Sequence, residues 1–582
     1  MNLTAAKSAL KEYFGYDRLY PTQEKAISAV LSGKNVFVLM PTGGGKSMCY
    51  QLPALVKPGT AIIVSPLIAL MKDQVDGLQA SGVAAEFLNS SLDSQQQAEI
   101  IERTKNGEIK LLYVSAERLV TSSFARLLQE IEVSLFAIDE AHCISAWGHD
   151  FRPEYTQLSH LRTSFPKAPI IALTATADAT TRQDILTQLE LHDAVELVDS
   201  FDRPNISLTV LPGTQRIEKI QEFLANKPNQ PGIIYCLSRK STEQVAEKLQ
   251  SVGFSAASYH AGMNAAERSR IQRSFSRDKT QIICATIAFG MGIDKLNVRW
   301  VIHYNLPKNI EGYYQEIGRS GRDGAPAEAL LFYSYRDVQT LQRFGMDSTN
   351  KELHLAKLDR MKEFAESVSC RRKTLLRYFG EQYKKNCKNC DVCESPYPTF
   401  DGTDIAQLAL KTIAATKQQL NTKELVSSLS NSPLEVSYAG WHFYISQLKN
   451  FGLIQTLFSQ NQSLALTEAG QTVLNKKIKV PLVTLDTFIE RQETTTKKTT
   501  KRSKPKKSDY QDPLFDALRQ KRLELSQKNK LPAYMIFSDA TLLQMAREKP
   551  STEAEMKTIS GVGEIKWQRY GTIFLEEIGN HP

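Results

Sequence analysis

No uncharged apolar run in this chain approaches the roughly 18 residues that a membrane helix needs. The longest apolar segments, such as Thr60 to Leu70, are short and rich in β-branched residues. The opening, MNLTAAKSALKEYFGYDR, lacks the apolar stretch and small-residue site of a secretory signal. Cysteine is sparse, with eight in 582 residues, which excludes a disulfide scaffold. These absences lead to the expectation of a cytoplasmic protein with reduced thiols and no membrane partner. Charge is nearly absent in net terms: 72 Lys and Arg against 63 Asp and Glu leave +9. Residues 491–507, RQETTTKKTTKRSKPKK, hold eight basic residues and one acid, so most of that excess sits in one segment. The segment has no aliphatic or aromatic residue and is expected to be disordered. Two readings of it stand side by side, a solvated linker and a linker that also grips phosphate.

What is present is size and pattern. The length accommodates about four domains. Between Asn35 and about Tyr335, short apolar runs alternate with helix-period segments. VFVLM (36–40), AIIVSP (61–66), LLYVS (111–115), LFAID (135–139) and IIALTAT (170–176) read as buried parallel strands. GIIYC (232–236), QIICAT (281–286) and VRWVIHY (298–304) form a second set, separated from the first by a break near FDRPN (201–205). This is the βαβ pattern of two open parallel sheets. Helical segments from Gly402 precede LIQTLF (453–458) and SLALT (463–467), the order of a winged helix. The final segment, from Asp512, is helical throughout.

MPTGGGKSMCYQ (40–51) follows a strand and opens a helix. Consecutive glycines let backbone N–H groups close around phosphate at a helix N-terminus, where the dipole favours anions. Thr42, Gly43, Gly44 and Gly45 form the cradle, Lys46 reaches the β/γ-phosphates and Ser47 binds Mg²⁺. Met40 stands where the strict P-loop pattern has its first glycine. In LFAIDEAH (135–142), Asp139 and Glu140 emerge at the carboxyl end of a strand, where ligands of open α/β sheets sit. Asp139 is placed to hold Mg²⁺, and Glu140 to orient or deprotonate the attacking water. His142 either links this site to the following loop or caps a turn. In QEIGRSGRDG (315–324), Arg319 and Arg322 are three apart, which predicts that both face one side. Donated across a cleft, they stabilise γ-phosphate charge and make hydrolysis depend on closure.

Cys370, Cys387, Cys390 and Cys393 follow a C-x₁₆-C-x₂-C-x₂-C spacing. Four thiolates suit tetrahedral Zn²⁺, with an iron–sulfur cluster the less favoured alternative. Cys370 opens the basic helix CRRKTLLRYFGE, a candidate DNA-facing surface. Cys49, Cys143, Cys236 and Cys284 lie in or beside apolar segments and read as inert core.

In this order the motifs resemble those of superfamily 2 helicases, and more narrowly of the RecQ family of DNA helicases, over essentially the full length. The resemblance rests on SPLIALMKDQV (65–75), YVSAERL (113–119), DEAHCISAWGHDFRPEY (139–155), LTATA (173–177) and FDRPN (201–205). YHAGM (259–263), ATIAFGMGIDK (285–295) and YYQEIGRSGRDG (313–324) continue it. It implies a multidomain α/β chain. Two RecA-like parallel-sheet domains, 1–206 and 207–340, are followed by a helical zinc-binding subdomain, 341–400. A winged helix (401–485), a basic linker (486–511) and a small all-α HRDC domain (512–582) complete the chain. It implies structural zinc, ATP and Mg²⁺ as cofactors, and adenine recognition by FGYDRLYPTQ (14–23). There Tyr16 stacks on the base and Gln23 reads its edge, with Tyr20 where the family has arginine. The loop after DEAH carries Trp147, His149, Phe151, Arg152 and Tyr155, and is expected to couple DNA to hydrolysis, chiefly through Trp147, Phe151 and Arg152.

The function so implied is 3′→5′ translocation on single-stranded DNA. It includes unwinding of forked and recombination-intermediate DNA in repair, recombination and replication by a nucleoid-associated protein. Single-stranded-DNA-binding protein and other repair proteins are the implied partners. Phe458 near the hairpin turn is a candidate wedge, set against core packing. Tyr534, Lys566 and Arg569 are candidate DNA contacts, set against ordinary surface charge. An RNA helicase or non-unwinding translocase is the nearest rival. An architectural DNA-binding protein with a non-hydrolysing ATP site is the rival from another class.

Overall fold

The computed structural model describes residues 3–581 except 91, 146–147, 149–150, 291–294, 347–350, 382, 384, 458–461, 477, 498–511 and 530. Seven strands form the first sheet: β1 (Val36–Leu39), β2 (Thr60–Val64), β3 (Ala85–Leu88), β4 (Leu111–Val114), β5 (Val133–Ile138), β6 (Ile170–Thr174) and β7 (Val195–Val198). Their order is β3-β4-β2-β5-β6-β1-β7, every pairing parallel. Side chains alternate across the pleat, so Phe37 and Leu39 enter one core while Val36 and Val38 enter the other. Both faces are therefore covered, as parallel sheets require.

The second sheet holds β8 (Ile206–Pro212), β9 (Gly232–Tyr235), β10 (Ala256–Tyr259), β11 (Ile282–Ala285), β12 (Trp300–His303) and β13 (Ala327–Tyr333). Its order is β10-β11-β9-β12-β13-β8, again all parallel. The strands that the apolar runs mark are all interior. The four edge strands β3, β7, β8 and β10 are not marked by them, because an edge strand is partly solvated and its pattern alternates. β8 shows this strand-long, with every second residue buried. β13 is interior but reads AEALLFY, whose Ala, Glu and Leu favour helix; pairing with both neighbours overrides that preference.

The first two arginines of the helix Arg371–Tyr378 are buried and so do not contribute to the expected DNA-facing surface. Arg371 makes a bidentate pair with Asp391 at 3.0 Å to each oxygen, and donates to the carbonyls of Phe364 (2.8 Å) and Ala365 (3.0 Å). Arg372 donates to Asp202 Oδ1 (2.6 Å) and to the carbonyls of Arg203 and Ile206. Buried guanidinium groups are tolerated here because most donors are met, Arg371 through four bonds and Arg372 through three, with Arg372 Nε the exception.

Three helices, Thr403–Ala415, Thr422–Leu429 and Tyr438–Phe451, precede an antiparallel hairpin of Ile454–Leu457 with Ser463–Leu466. The candidate wedge Phe458 lies outside the described residues, as do 498–511 of the basic linker. Residues 486–497, expected to belong to a disordered linker, instead lie in the helix Leu485–Lys497, whose N-terminal part carries the apolar Phe488 into the core. The C-terminal helices, among them Pro513–Asn529, Asp539–Glu548 and Thr572–Gly579, enclose a separate core around Leu518, Phe537 and Phe574. This module rests on both sheets' lobes. Gly561 N donates to Gly15 O (3.2 Å), Arg569 to Ala80 O (2.7 Å) and Arg519 to Asn229 O (2.9 Å). The approach is so close that a Cβ on Gly15 would lie 2.3 Å from Gly563 N. Arg569, a candidate DNA contact in the sequence, is thus turned onto the first lobe.

Candidate nucleotide site and zinc centre

β1 ends at Leu39, and residues 40–47 turn into the helix Met48–Val56. Gly43 (φ +84°) and Gly45 (φ +75°) occupy the left-handed region, which glycine enters without a Cβ clash. A Cβ on Gly45 would lie 2.3 Å from Gln23 Nε2. Gln23 is buried, and its amide donates to the carbonyls of Gly44 (3.2 Å) and Gly45 (3.1 Å) while its oxygen accepts from Tyr20 N (2.9 Å). Both N–H groups are used, and one lone pair on Oε1 remains. Tyr16 and Tyr20 are exposed beside it. The Lys46 ammonium lies 3.3 Å from the carbonyl of Met40. Burial holds its pKa below the usual value, against the attraction of Glu140 and Asp139. Ser47 Oγ accepts from Gln74 Nε2 at 3.3 Å, and Gln74 also meets Gln51 (3.1 Å) and Tyr113 (3.4 Å). Gln74 lies in SPLIALMKDQV but carries no chemical signal of its own, so only its position reveals it.

Beyond β5, Asp139 is buried and accepts from Glu140 N at 3.0 Å. Burial, followed by repulsion from Glu140, pushes the Asp139 carboxyl up to about 7. Glu140 adopts φ 49°, left-handed for a non-glycine residue and a mark of local strain. His142 is fully buried, with Nδ1 3.0 Å from Thr174 Oγ1 and 3.3 Å from Glu140 Oε2. It therefore ties the acidic strand end to LTATA at the end of the neighbouring strand β6.

The second lobe reaches this site through residues 318–322. A Cβ on Gly43 would lie 3.3 Å from Arg322 Cγ, and one on Gly318 would lie 3.1 Å from Thr42 Cβ. Arg319 takes a different direction. It is buried, with Nη2 3.2 Å from the Cβ position of Gly290, and it bonds to the Tyr235 side chain. Residues 318–323 form a tight turn, in which Arg319 points back toward Gly290 and Tyr235 of its own lobe while Arg322 reaches Gly43, so the two do not face one side as expected. Arg203, from FDRPN, donates to Thr42 O and to Gly318, Ser320 and Gly321 carbonyls.

Of the loop after DEAH, Trp147 and His149 lie outside the described residues. Phe151 is 44% exposed, whereas Arg152 donates to Pro66 O at 2.8 Å. Tyr155 is buried, its hydroxyl 3.5 Å from Asp139 O. Among the described loop residues, Phe151 thus meets solvent while Arg152 and Tyr155 reach back toward the ends of the first sheet's strands.

The sulfurs of Cys370, Cys387, Cys390 and Cys393 lie within 4.8 Å of one another, with Cys387 and Cys393 3.9 Å apart. Thiolates bound at about 2.3 Å around tetrahedral zinc stand about 3.8 Å apart, so the four fit that ion. Backbone N–H groups of Cys387 and Asn389 point at the sulfurs of Cys370 and Cys387, each at 3.4 Å. The other four cysteines are buried. Burial pushes Cys49 and Cys236 up to about 12, leaving protonated, unreactive thiols.

Two parallel-sheet lobes, with a glycine loop and acid pair on one and an arginine loop from the other laid against them, define a nucleotide-driven motor of the helicase class. Residues 20–185 match the DEAD/DEAH box helicase family and 215–324 the helicase conserved C-terminal domain. Residues 335–394 match the RecQ zinc-binding family and 511–578 the HRDC domain. The chain is 44% identical to ATP-dependent DNA helicase RecQ of Haemophilus influenzae, covering 99% of this chain and 96% of that protein. It is 43% identical to RecQ of Pasteurella multocida, over 99% and 94% of the two chains, and 36% identical to RecQ of Bacillus subtilis, over 99% and 98%. The chain belongs to the RecQ family: it is an ATP-dependent DNA helicase of genome maintenance, with a zinc-binding module and an HRDC domain. No described helix is long and apolar enough to cross a membrane.

Proposed function

We propose that the protein travels 3′→5′ on single-stranded DNA and unwinds forked and recombination-intermediate duplexes, drawing on hydrolysis of Mg·ATP between its lobes. The observation that carries this reading is the packing of the Arg322 loop onto Gly43 of the phosphate loop. Hydrolysis and lobe closure then share the same residues, and each cycle converts into a step. Thr42, Gly43, Gly44 and Gly45 supply the phosphate cradle, and Lys46 turns from the Met40 carbonyl to the phosphates. Ser47 and Asp139 would hold Mg²⁺, which neutralises charge on the β- and γ-oxygens when bound. Glu140 orients or deprotonates the attacking water. Arg322 meets the charge developing on the γ-phosphate, and Arg319 supports the loop from within the second lobe. Tyr16 stacks on adenine. Gln23 accepts from the adenine amino group with its remaining lone pair, and donating to the ring requires it to release one loop carbonyl.

On the DNA side, exposed Phe151 stacks on a base while Arg152 and Tyr155 carry its position to Pro66 and Asp139. Trp147 shares this role. Single-stranded-DNA-binding protein and other repair proteins are the proposed partners. Strand displacement on 3′-tailed and 5′-tailed duplexes, with Lys46→Ala as control, tests the reading. Unwinding of the 3′-tailed substrate alone, lost in the variant, supports it. DNA-stimulated hydrolysis without unwinding of either substrate reduces the protein to a translocase.

A further inference from the structure

Arg203 lies in the connection between the two sheets, after β7 and before β8. Among the described residues its guanidinium donates to main-chain carbonyls, and these come from both lobes. Thr42 belongs to the phosphate loop. Gly318 (3.4 Å), Ser320 (3.1 Å) and Gly321 (2.8 Å) belong to the turn that carries Arg322. The Cβ position of Gly43 is 3.2 Å from Arg203 Nη1 and 3.3 Å from Arg322 Cγ, so both side chains converge on one point of the loop. Asn205 reinforces the same turn, donating to Gly321 O and Ala325 O at 2.9 Å each.

The backbone that carries Arg203 is itself held. Arg372, two residues after the zinc-cluster residue Cys370, donates to Arg203 O, Asp202 Oδ1 and Ile206 O. Glu381 accepts from Ser200 Oγ (2.7 Å) and Phe201 N (2.9 Å), and Asn389 donates to Pro204 O (3.0 Å). The segment 200–206 is therefore gripped by the cysteine-bearing module, while its one arginine grips the two loops that face each other across the site. A planar fork can bridge carbonyls on both loops at fixed spacing, whereas a lysine ammonium offers one flexible point.

We propose that Arg203 is a positioning residue for ATP hydrolysis, setting the phosphate loop and the Arg322 turn in register, with Arg372 of the zinc module setting Arg203. This rests on the reading of Arg322 as the residue that stabilises the γ-phosphate. A misplacement of about 1 Å at such a point costs up to about a hundredfold in rate.

The test uses the full-length protein, zinc loaded, with Arg203→Lys, Arg322→Ala and the double variant. DNA-stimulated ATPase gives kcat, and titration with a fluorescent ADP analogue gives nucleotide affinity. Zinc content and the thermal midpoint check each fold. Arg203→Lys is expected to lower kcat by at least about tenfold while ADP affinity stays within about twofold. Added to Arg322→Ala, it is expected to change kcat by less than about twofold, because it acts through that arginine. Arg372→Lys is expected to reproduce the kcat loss with zinc retained. An unchanged kcat in Arg203→Lys, a parallel loss of ADP affinity, or losses that multiply in the double variant would each overturn the proposal. If Arg203→Lys loses its fold, Arg372→Lys with full kcat overturns the zinc-module link, and an Asn205→Ala variant with full kcat overturns control through the Arg322 turn. Full kcat in Arg322→Ala itself sinks the underlying reading, a result distinct from a failure at Arg203 alone.

Discussion

His142 Nδ1 stands 3.0 Å from the hydroxyl of Thr174, joining the ends of two neighbouring strands at full burial. The first strand end presents the acid pair, and the second begins LTATA. A movement at one is transmitted to the other through a side chain that has no water to replace its partner. His142→Ala removes this link but leaves Thr174 Oγ1 bonded to Thr176 N (3.2 Å) and Thr176 O (3.4 Å), so its stability cost is that of one hydrogen bond, about 0.5–1.5 kcal/mol. Strand displacement is expected to fall more than ATPase in this variant, and Thr174→Val to give the same imbalance. Measuring both rates on one tailed duplex checks this.

Glu140 is proposed as the base rather than as a phosphate ligand. Glu140→Gln is expected to retain ATP binding while kcat falls about 10²–10⁴-fold, the usual span for a lost general base. Nucleotide binding and single-turnover hydrolysis, measured on the same preparation, separate the two effects.

The cysteine cluster begins the helix whose first two arginines are buried. Cys390→Ser is expected to lower zinc below one ion per chain and to depress the thermal midpoint, because the folding free energy of such a site is metal-binding free energy. A strong chelator is expected to do the same to the wild-type protein. Metal analysis beside calorimetry checks both, and an unchanged midpoint after zinc removal would contradict it.

A buried ion cluster joins the C-terminal module to the second lobe. Arg522 pairs with Asp539 at 2.7 Å and lies 4.0 Å from Asp278, which pairs with Lys295 at 2.5 Å. Burial raises Asp539, but Arg522, Arg519 and Arg299 outweigh it and hold the carboxyl below its ordinary value. Burial likewise raises Asp278, and Lys295, Arg522 and Arg519 outweigh it. Carboxyls depressed in the folded state contribute stability above their unfolded pKa, about 4, and lose it as pH falls through the lower folded value. The thermal midpoint is therefore expected to drop on acidification below about pH 4. Asp539→Asn is expected to flatten that drop and to cost about 3–5 kcal/mol at neutral pH by stranding Arg522. Melts across a pH series decide it.

Much of the architecture was legible because interior parallel strands are continuous apolar runs. VFVLM and LFAID needed no partner to be recognised, and the glycine loop and acids at their ends follow from local chain geometry. Edge strands such as β7 were not legible, since solvation on one side removes the run. Gln74 and Arg203 were not legible as parts of the site either. One is an ordinary helix glutamine and the other an arginine in a connecting segment; only folding brings them to Ser47 and Thr42.

The sequence by itself determined which side chains are available: the glycine loop with Lys46, the acids Asp139 and Glu140, four clustered thiols and the order of motifs that marks the family. Spacing along one strand or turn suffices for each of these. The tertiary structure alone decided which arginines act outward and which are struts. It sent Arg322 to the phosphate loop and Arg319 into its own lobe, buried Arg371 and Arg372, and turned Arg569 onto the core. A guanidinium is long and has five donors, so its place is set by whichever acceptors the fold gathers around it, and those acceptors are distant in the chain.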